Sequence, residues 1–242
     1  MKARDLAERR AASYPPLRQL LVRLALAAAF SLVLLVTREW LGGRRAYAFL
    51  AWNLFLAAVP LALALLLEAA SRARRRYAAL VLALLWLLFF PNAPYVLTDF
   101  VHLASDPPVP LWFDVLLFNA FAWTSLVLGF VSLGHVRALT RSRWGKEWNW
   151  TGLLVLFAVS GLAIYLGRFA HQDSWDVLTH PGAVFRAVFA RSSAMKEIEV
   201  TVGFAAFLAV AYAVFEAVAA TESLEDVAGS TASAYTKRGR RA

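Results

Sequence analysis

The chain has 242 residues, of which 60% are hydrophobic, and it carries a formal net charge of +9. Soluble domains are nearer about 45–50% apolar, and here the excess lies in long runs, so an ordinary soluble domain is excluded. Cysteine is absent, which excludes disulfides, thiol nucleophiles, zinc–thiolate sites and covalently attached c-type haem.

Six apolar runs follow one another along the chain, each near the roughly 20 residues that cross a bilayer. They predict an all-α membrane protein, a single bundle of six transmembrane helices over residues 17–220. The runs cover residues 17–37, 46–67, 77–97, 111–134, 150–167 and 200–219. We interpret the first as a retained anchor, because no small-x-small cleavage motif follows it. Residues 1–16 form a basic lead-in, and the aperiodic polar tail of residues 221–242 predicts disorder.

Basic residues alternate in number between successive loops. Counting lysine and arginine, 18 of the 25 fall on the side that holds both termini. The positive-inside rule therefore predicts that both termini face the cytoplasm. Membrane lipids are the expected partners, and no protein partner can be named. Nucleic-acid binding is disfavoured, because the loops show no surface of interleaved aromatic and basic residues.

A double-proline break ends the third run, within the sequence Pro91-Asn92-Ala93-Pro94-Tyr95. A proline lacks the N–H of the helix ladder and clashes with the carbonyl one turn back. The residue before a proline is also disfavoured in the α region, so Phe90 and Ala93 are expected to leave it. The third helix is therefore predicted to break at Pro91 and Pro94, and to deliver the polar residues that follow to the outer surface.

Polar residues from four runs are predicted to converge near that outer surface. At 1.5 Å per residue, positions on alternately directed helices can be compared in depth. The inner halves of the runs contain few polar residues besides Ser132 and Glu216. The converging residues are Asn53, Asn92, Asp99, His102, Asp114, Asn119 and Arg168.

The segment after the fifth run is predicted to close this site. It contributes Trp175 and Asp176, and Pro181 is placed to start a short helix over residues 181–192. The apolar face of that helix fits the bilayer interface. A covering helix packed on the bundle is the alternative.

Chemical roles follow from the residue types. Asp99 and Asp114 are the candidate catalytic bases or cation ligands. Arg168 is the candidate that holds an anionic group, and pairing with Asp114 would lower the cost of both charges in the membrane. The three asparagines, His102, Trp175 and Asp176 are candidate binding residues. The alternatives are solvated loop residues, hydrogen bonds between helices for Asn53 and Asn119, and interfacial anchoring for the tryptophan.

Metal binding has weak support in the pattern. Asp99 and His102 are three residues apart, and His171 with Asp173 or Asp176 could add ligands. No His-Glu-x-x-His motif of a zinc hydrolase accompanies them. No metal site is therefore predicted, and no cofactor can be named.

Four stretches of the chain carry a likeness to a known family. They are Trp52–Leu56 with Pro60, Pro91–Tyr95 with Thr98, Asp99, His102 and Leu103, Trp112–Asp114, and Tyr165–Phe169 with Ser174–Asp176. At these residues the chain resembles a bacterial integral membrane family, the domain of unknown function numbered 1361. The likeness covers about residues 45–220 and implies a polytopic protein of a bacterial cytoplasmic (inner) membrane, without a named reaction. In that family an Arg-Trp-Asn stretch commonly occupies the position of His171-Gln172-Asp173, so the resemblance makes His171 and Asp173 poor candidates for a shared site.

Three functions fit the pattern. The first is a membrane-embedded enzyme or binder that acts on a lipid headgroup or envelope precursor at the outer face. The second is a small-solute or ion transporter or channel, which needs a polar path through both leaflets. The third is a non-catalytic assembly or scaffold protein.

Overall fold

The structure is a computed structural model that describes residues 17–43, 45–104, 108–169, 179, 182 and 194–239. Side chains are described in these ranges except at 141–149, 169, 194, 196 and 220–239. The described part of the chain is helical and contains no β-strand, which confirms the predicted all-α class. The interfacial helix predicted over residues 181–192 and the lead-in at 1–16 lie outside the described residues, apart from residue 182.

Six α-helices and one 3₁₀ helix make up the described chain. The 3₁₀ helix covers Val96–His102. The α-helices are α1 (Leu17–Gly42), α2 (Phe49–Arg72), α3 (Arg76–Phe89), α4 (Asn92–Tyr95), α5 (Leu111–Phe169) and α6 (Ala194–Gly239).

Six stretches of these described helices are long and apolar enough to cross a membrane, which confirms the predicted number. We call them spans one to six in chain order. The helix α5 supplies two of them. The spans are Leu17–Gly42, Phe49–Arg72, Arg76–His102, Leu111–Thr140, Trp150–Arg168 and Glu197–Ala219.

The chain divides into two compact units. One is Leu26–Ala209, and it contains every contact described below. The other consists of Met1–Ala25 and Val210–Ala242.

The last helix continues beyond span six, and α6 extends to Gly239. Residues 221–239 are thus helical where the sequence predicts disorder. Proline is absent there. Extending an existing helix avoids the cost of nucleating a new one.

Spans four and five both belong to α5, yet they run in opposite directions within the larger unit. The contacts of their side chains show this, because they bring the start of span four and the end of span five to the same end. Span four starts near Tyr47, whose hydroxyl lies 3.4 Å from Asp114 Oδ2. Further along the same span, His135 Nδ1 lies 3.0 Å from Glu68 Oε2 near the end of α2. Span five ends at Arg168, which binds Thr98 of the 3₁₀ helix. Asp99, Asp114 and Arg168 therefore share one end of the unit, which we call the Arg168 end.

The third span breaks at the prolines, as predicted, but its backbone stays in the α region. Phe90 has φ −53° and ψ −40°, and Pro91 has φ −60° and ψ −20°. Ala93 lies inside α4. The expectation that Phe90 and Ala93 leave the α region was therefore wrong.

Missing hydrogen-bond donors account for the break instead. The two prolines cannot donate to the helix ladder. Other donors form hydrogen bonds to the carbonyl oxygens at the break. The Ala93 N–H donates to Phe90 O at 3.1 Å, and Asn92 Nδ2 donates to Phe89 O at 2.9 Å. The chain continues as α4 and then tightens into the 3₁₀ helix.

Gly129 on span four allows the broken segment to pack closely. Ala93 is completely buried, and a Cβ atom added at Gly129 would lie 2.7 Å from the Ala93 Cβ. Any larger residue at position 129 would push span four away from the break. This contact ties the broken span to the helix that carries Asp114.

Candidate functional site

Asp99 is the centre of a polar network at the Arg168 end. Its side chain is 1% exposed. Arg168 Nη2 donates to Asp99 Oδ1 at 2.5 Å, and Asn53 Nδ2 donates to Asp99 Oδ2 at 2.8 Å. Spans two, three and five each contribute one member, so the network joins three spans.

Three further contacts fix the Arg168 guanidinium. Its Nε donates to Thr98 Oγ1 at 2.9 Å, and its Nη1 lies 2.7 Å from His102 Nε2. The guanidinium carbon also lies 4.8 Å from the centre of the Tyr95 ring. Thr98 in turn donates to the Tyr95 carbonyl at 2.7 Å.

The 3₁₀ helix explains why these side chains meet. Residues three apart are eclipsed in a 3₁₀ helix, because it has three residues per turn. Asp99 and His102 therefore project in a similar direction. Thr98 precedes Asp99 directly, and Tyr95 lies three residues before Thr98. The proline break thus produces the local geometry that presents four side chains to Arg168.

Arg168 keeps donor capacity after these contacts. A guanidinium has five N–H groups, and three bind Thr98, His102 and Asp99. Two N–H groups have no partner among the described residues. The Arg168 side chain is 13% exposed, and His102 beside it is an exposed residue. An anionic group can therefore approach Arg168 next to His102.

A second buried ion pair joins Arg38 of span one to Asp114 of span four. Both side chains are 0% exposed. Arg38 Nε donates to Asp114 Oδ1 at 2.5 Å, and Nη2 donates to Oδ2 at 3.2 Å. Gly42 lies one turn further along span one, and a Cβ atom there would collide with Arg38 Nη1. The glycine therefore leaves room for the guanidinium to reach Asp114.

Tyr47, in the loop between spans one and two, covers this pair. The Arg38 guanidinium carbon lies 5.1 Å from the centre of its ring. Its hydroxyl lies 3.4 Å from Asp114 Oδ2 and 3.5 Å from the Ala104 carbonyl oxygen. Burial raises the pKa of the Tyr47 phenol, and the Asp114 carboxylate raises it further. The phenol therefore remains a neutral donor at physiological pH.

Aromatic rings connect the two networks. The Tyr47 and Phe49 ring centres are 6.3 Å apart, and those of Phe49 and His102 are 5.1 Å apart. On the other side, Phe118 lies 5.0 Å from Tyr47 and 5.7 Å from Phe100. The space between the two ion pairs is thus filled by aromatic side chains.

The structure brings together four of the predicted site residues, namely Asn53, Asp99, His102 and Arg168. Asp114 belongs to the second network, so the expected Asp114–Arg168 pair was wrong. Arg38 occupies the position that Arg168 was expected to take. Asp99 and Asp114 are both buried, and their roles as bases or cation ligands stay predictions.

The other predicted residues have different surroundings. Asn92 donates to the Phe89 carbonyl at the break. Asn119 is exposed and donates to Val115 O of its own helix at 2.8 Å. It belongs to neither network, and its role in orienting the site stays a prediction. Trp175 and Asp176 lie outside the described residues, as do His171 and Asp173. Within the part of the chain that the structure describes, no group of three or more His, Asp or Glu side chains could hold a metal ion.

Arg38 and Tyr47 are the site residues that the sequence did not identify. Arg38 directly follows the first apolar run, residues 17–37, so its position alone does not distinguish it from a loop residue. A usable signal was present: an arginine within reach of the membrane needs an anionic partner. Asp114 lies at the same end of the unit.

The comparison with known families confirms the resemblance seen in the sequence. The profile of the family described as protein of unknown function (DUF1361) matches residues 52–211. The chain belongs to this family. The DUF1361 match covers Asn53, Asp99, His102, Asp114 and Arg168, whereas Arg38 and Tyr47 precede it. No curated protein and no solved structure matches the chain.

Proposed function

We propose that this DUF1361 protein binds the phosphate-bearing headgroup of a membrane lipid or envelope precursor at the extracytoplasmic face of a bacterial inner membrane. The observation that carries the proposal is the hydrogen bonding of the Arg168 guanidinium. Its guanidinium is fixed by three partners, yet it keeps two N–H groups beside the exposed His102.

Pre-organisation favours such binding. Hydrogen bonds between a guanidinium and an anionic oxygen are stronger than neutral ones, and paired N–H groups match the geometry of a phosphate. Asp99 compensates the arginine charge while no ligand is bound, and Asn53 supports that carboxylate. The ligand then meets a donor that has already lost its rotamer freedom.

The burial of the carboxylates supports binding rather than carboxylate catalysis. A catalytic base must come within hydrogen-bond reach of its substrate. Asp99 is 1% exposed and Asp114 is 0% exposed, so both act as positioning residues here. His102 is the exposed ionisable group, and histidine can accept or donate a proton near neutral pH.

The sidedness of the site can be tested with reporter fusions. The arginine and lysine distribution predicts that the Arg168 end lies outside and that both termini lie in the cytoplasm. A reporter fused after Asp106 is expected to show a periplasmic location, and one fused after Arg141 a cytoplasmic location. The reverse pair of results would move the proposed site to the cytoplasmic face.

Binding itself can be measured with short-chain phosphatidylglycerol and the detergent-purified protein, by isothermal titration calorimetry. Arg168→Lys keeps the charge but removes the planar fork, so we expect about tenfold weaker binding. Arg72→Lys is the matched control, because Arg72 is 78% exposed and pairs with Glu68 on its own helix. Equal affinities of wild type and Arg168→Lys would contradict the proposal.

A scaffold role is the second candidate. Its support is that each buried ion pair joins different spans: span one with span four, and span three with span five. This role predicts that Arg168→Lys changes stability without changing lipid affinity. The calorimetric experiment therefore separates the two functions.

A further inference from the structure

A groove lies between spans five and six. It has a volume of about 320 Å³, which is at the lower end of the range for ligand pockets. Aliphatic side chains supply most of its lining, and two polar residues interrupt them. Among the lining residues are Ala158, Leu162, Ile198 and Val202, with Glu197 and Thr201 as the polar members.

A close backbone contact fixes the level of the groove relative to Arg168. A Cβ atom at Gly161 would lie 3.0 Å from Thr201 Cα, so the two helices touch there. Gly161 is seven residues before Arg168, or about 10 Å along the helix. Two consecutive membrane crossings run in opposite directions, so span six is taken as antiparallel to span five. Glu197, four residues before Thr201, then lies about 6 Å nearer the Arg168 end than Thr201 does.

Glu197 is the charged member of the groove. Its side chain is partly exposed, and it has no hydrogen-bond or ion-pair partner among the described residues. Glu197 is the first residue of span six, where a charged side chain can reach a lipid headgroup while the rest of the groove stays apolar. A carboxylate beside an apolar groove is complementary to a cation that carries a hydrocarbon chain.

We propose that the ligand is a zwitterionic phospholipid with an ethanolamine headgroup. Its phosphate binds the two remaining N–H groups of Arg168, and its ammonium group pairs with Glu197. One acyl chain lies in the groove against Leu162 and Val202. This assignment rests on the proposed headgroup site at Arg168 and adds the class of headgroup.

The experiment compares two lipids with identical oleoyl chains, phosphatidylethanolamine and phosphatidylglycerol, which share the phosphate and differ in the amine. Binding to the full chain in detergent is measured by native mass spectrometry. Wild type is expected to retain phosphatidylethanolamine about tenfold more strongly, which is about 1.4 kcal/mol. Glu197→Gln preserves the side-chain shape, and it is expected to abolish that preference while phosphatidylglycerol binding stays within twofold.

A second variant tests the position of the chain. Leu162→Trp fills the groove and is expected to weaken both lipids at least fivefold. Glu216→Gln is the matched control for charge removal on span six, and it is expected to keep the preference for phosphatidylethanolamine. Circular dichroism of each variant measures whether its helix content equals that of the wild type.

The outcomes distinguish this inference from the proposed function. Equal retention of the two lipids by wild type, with both weakened by Arg168→Lys, would overturn the ethanolamine assignment and leave the headgroup site in place. A preference that persists in Glu197→Gln would also overturn it. Failure of wild type to retain either lipid would contradict both proposals.

Discussion

Replacing Arg38 with methionine is expected to cause the largest loss of stability of any single change considered for this protein. The substitution leaves the Asp114 carboxylate buried at 0% exposure without its cation. Breaking a buried pair by removing one partner costs about 3–5 kcal/mol. The free energy of unfolding in mixed detergent measures the loss.

Two variants sharpen this test. Arg72→Met removes an arginine that pairs with Glu68 at the same 2.5 Å distance but is 78% exposed, so its cost is expected to stay within about 1 kcal/mol. The double variant Arg38→Met with Asp114→Leu is expected to recover most of the stability, because no unpaired charge remains. An Arg38→Met loss equal to that of Arg72→Met would show that the buried pair does not contribute.

Replacing Asp99 with leucine is expected to cause the second-largest loss of stability. It leaves Arg168 Nη2 and Asn53 Nδ2 without their shared acceptor. We expect a loss of about 2–4 kcal/mol, slightly less than for Arg38 because Arg168 is 13% exposed and can regain water. The same unfolding measurement applies.

Asn119→Leu is the control for this second effect. Asn119 is exposed and donates only within its own helix, so we expect a change within about 0.5 kcal/mol. Thr98→Val gives an intermediate case, since it removes one acceptor from Arg168, with an expected cost of about 1 kcal/mol. An Asp99→Leu loss no larger than that of Asn119→Leu would contradict the network.

The spans were predictable from the sequence because a bilayer enforces one strong rule. Every backbone polar group inside hydrocarbon must be satisfied within the protein, so a long apolar run becomes a helix. The same physics made the Pro91–Pro94 break predictable, since a proline cannot donate. The dihedral angles at the break were not predictable, because a residue before proline can remain helical when packing requires it, as Phe90 does.

The ion-pair and hydrogen-bond partners within the site were less predictable than the depth of its residues along the helices. Counting residues along a helix gives the depth of a side chain but not which neighbour it faces. Asn119 illustrates this, because five residues after Asp114 correspond to a rotation of about 140° around the same helix. Asp114 is buried and Asn119 is exposed. Asp114 binds Arg38 of span one, whereas Arg168 of span five binds Asp99. Apolar runs do not encode which of two arginines a carboxylate faces.

The most direct test of the headgroup site is an experimental structure of the protein in nanodiscs that contain phosphatidylethanolamine and phosphatidylglycerol. We predict a lipid phosphate within about 3 Å of Arg168 Nη1 or Nη2 and next to His102, with Asp99 still bound to Arg168. A structure in which lipid density is absent from Arg168, or in which other side chains of the protein take up its two remaining N–H groups, would contradict the account.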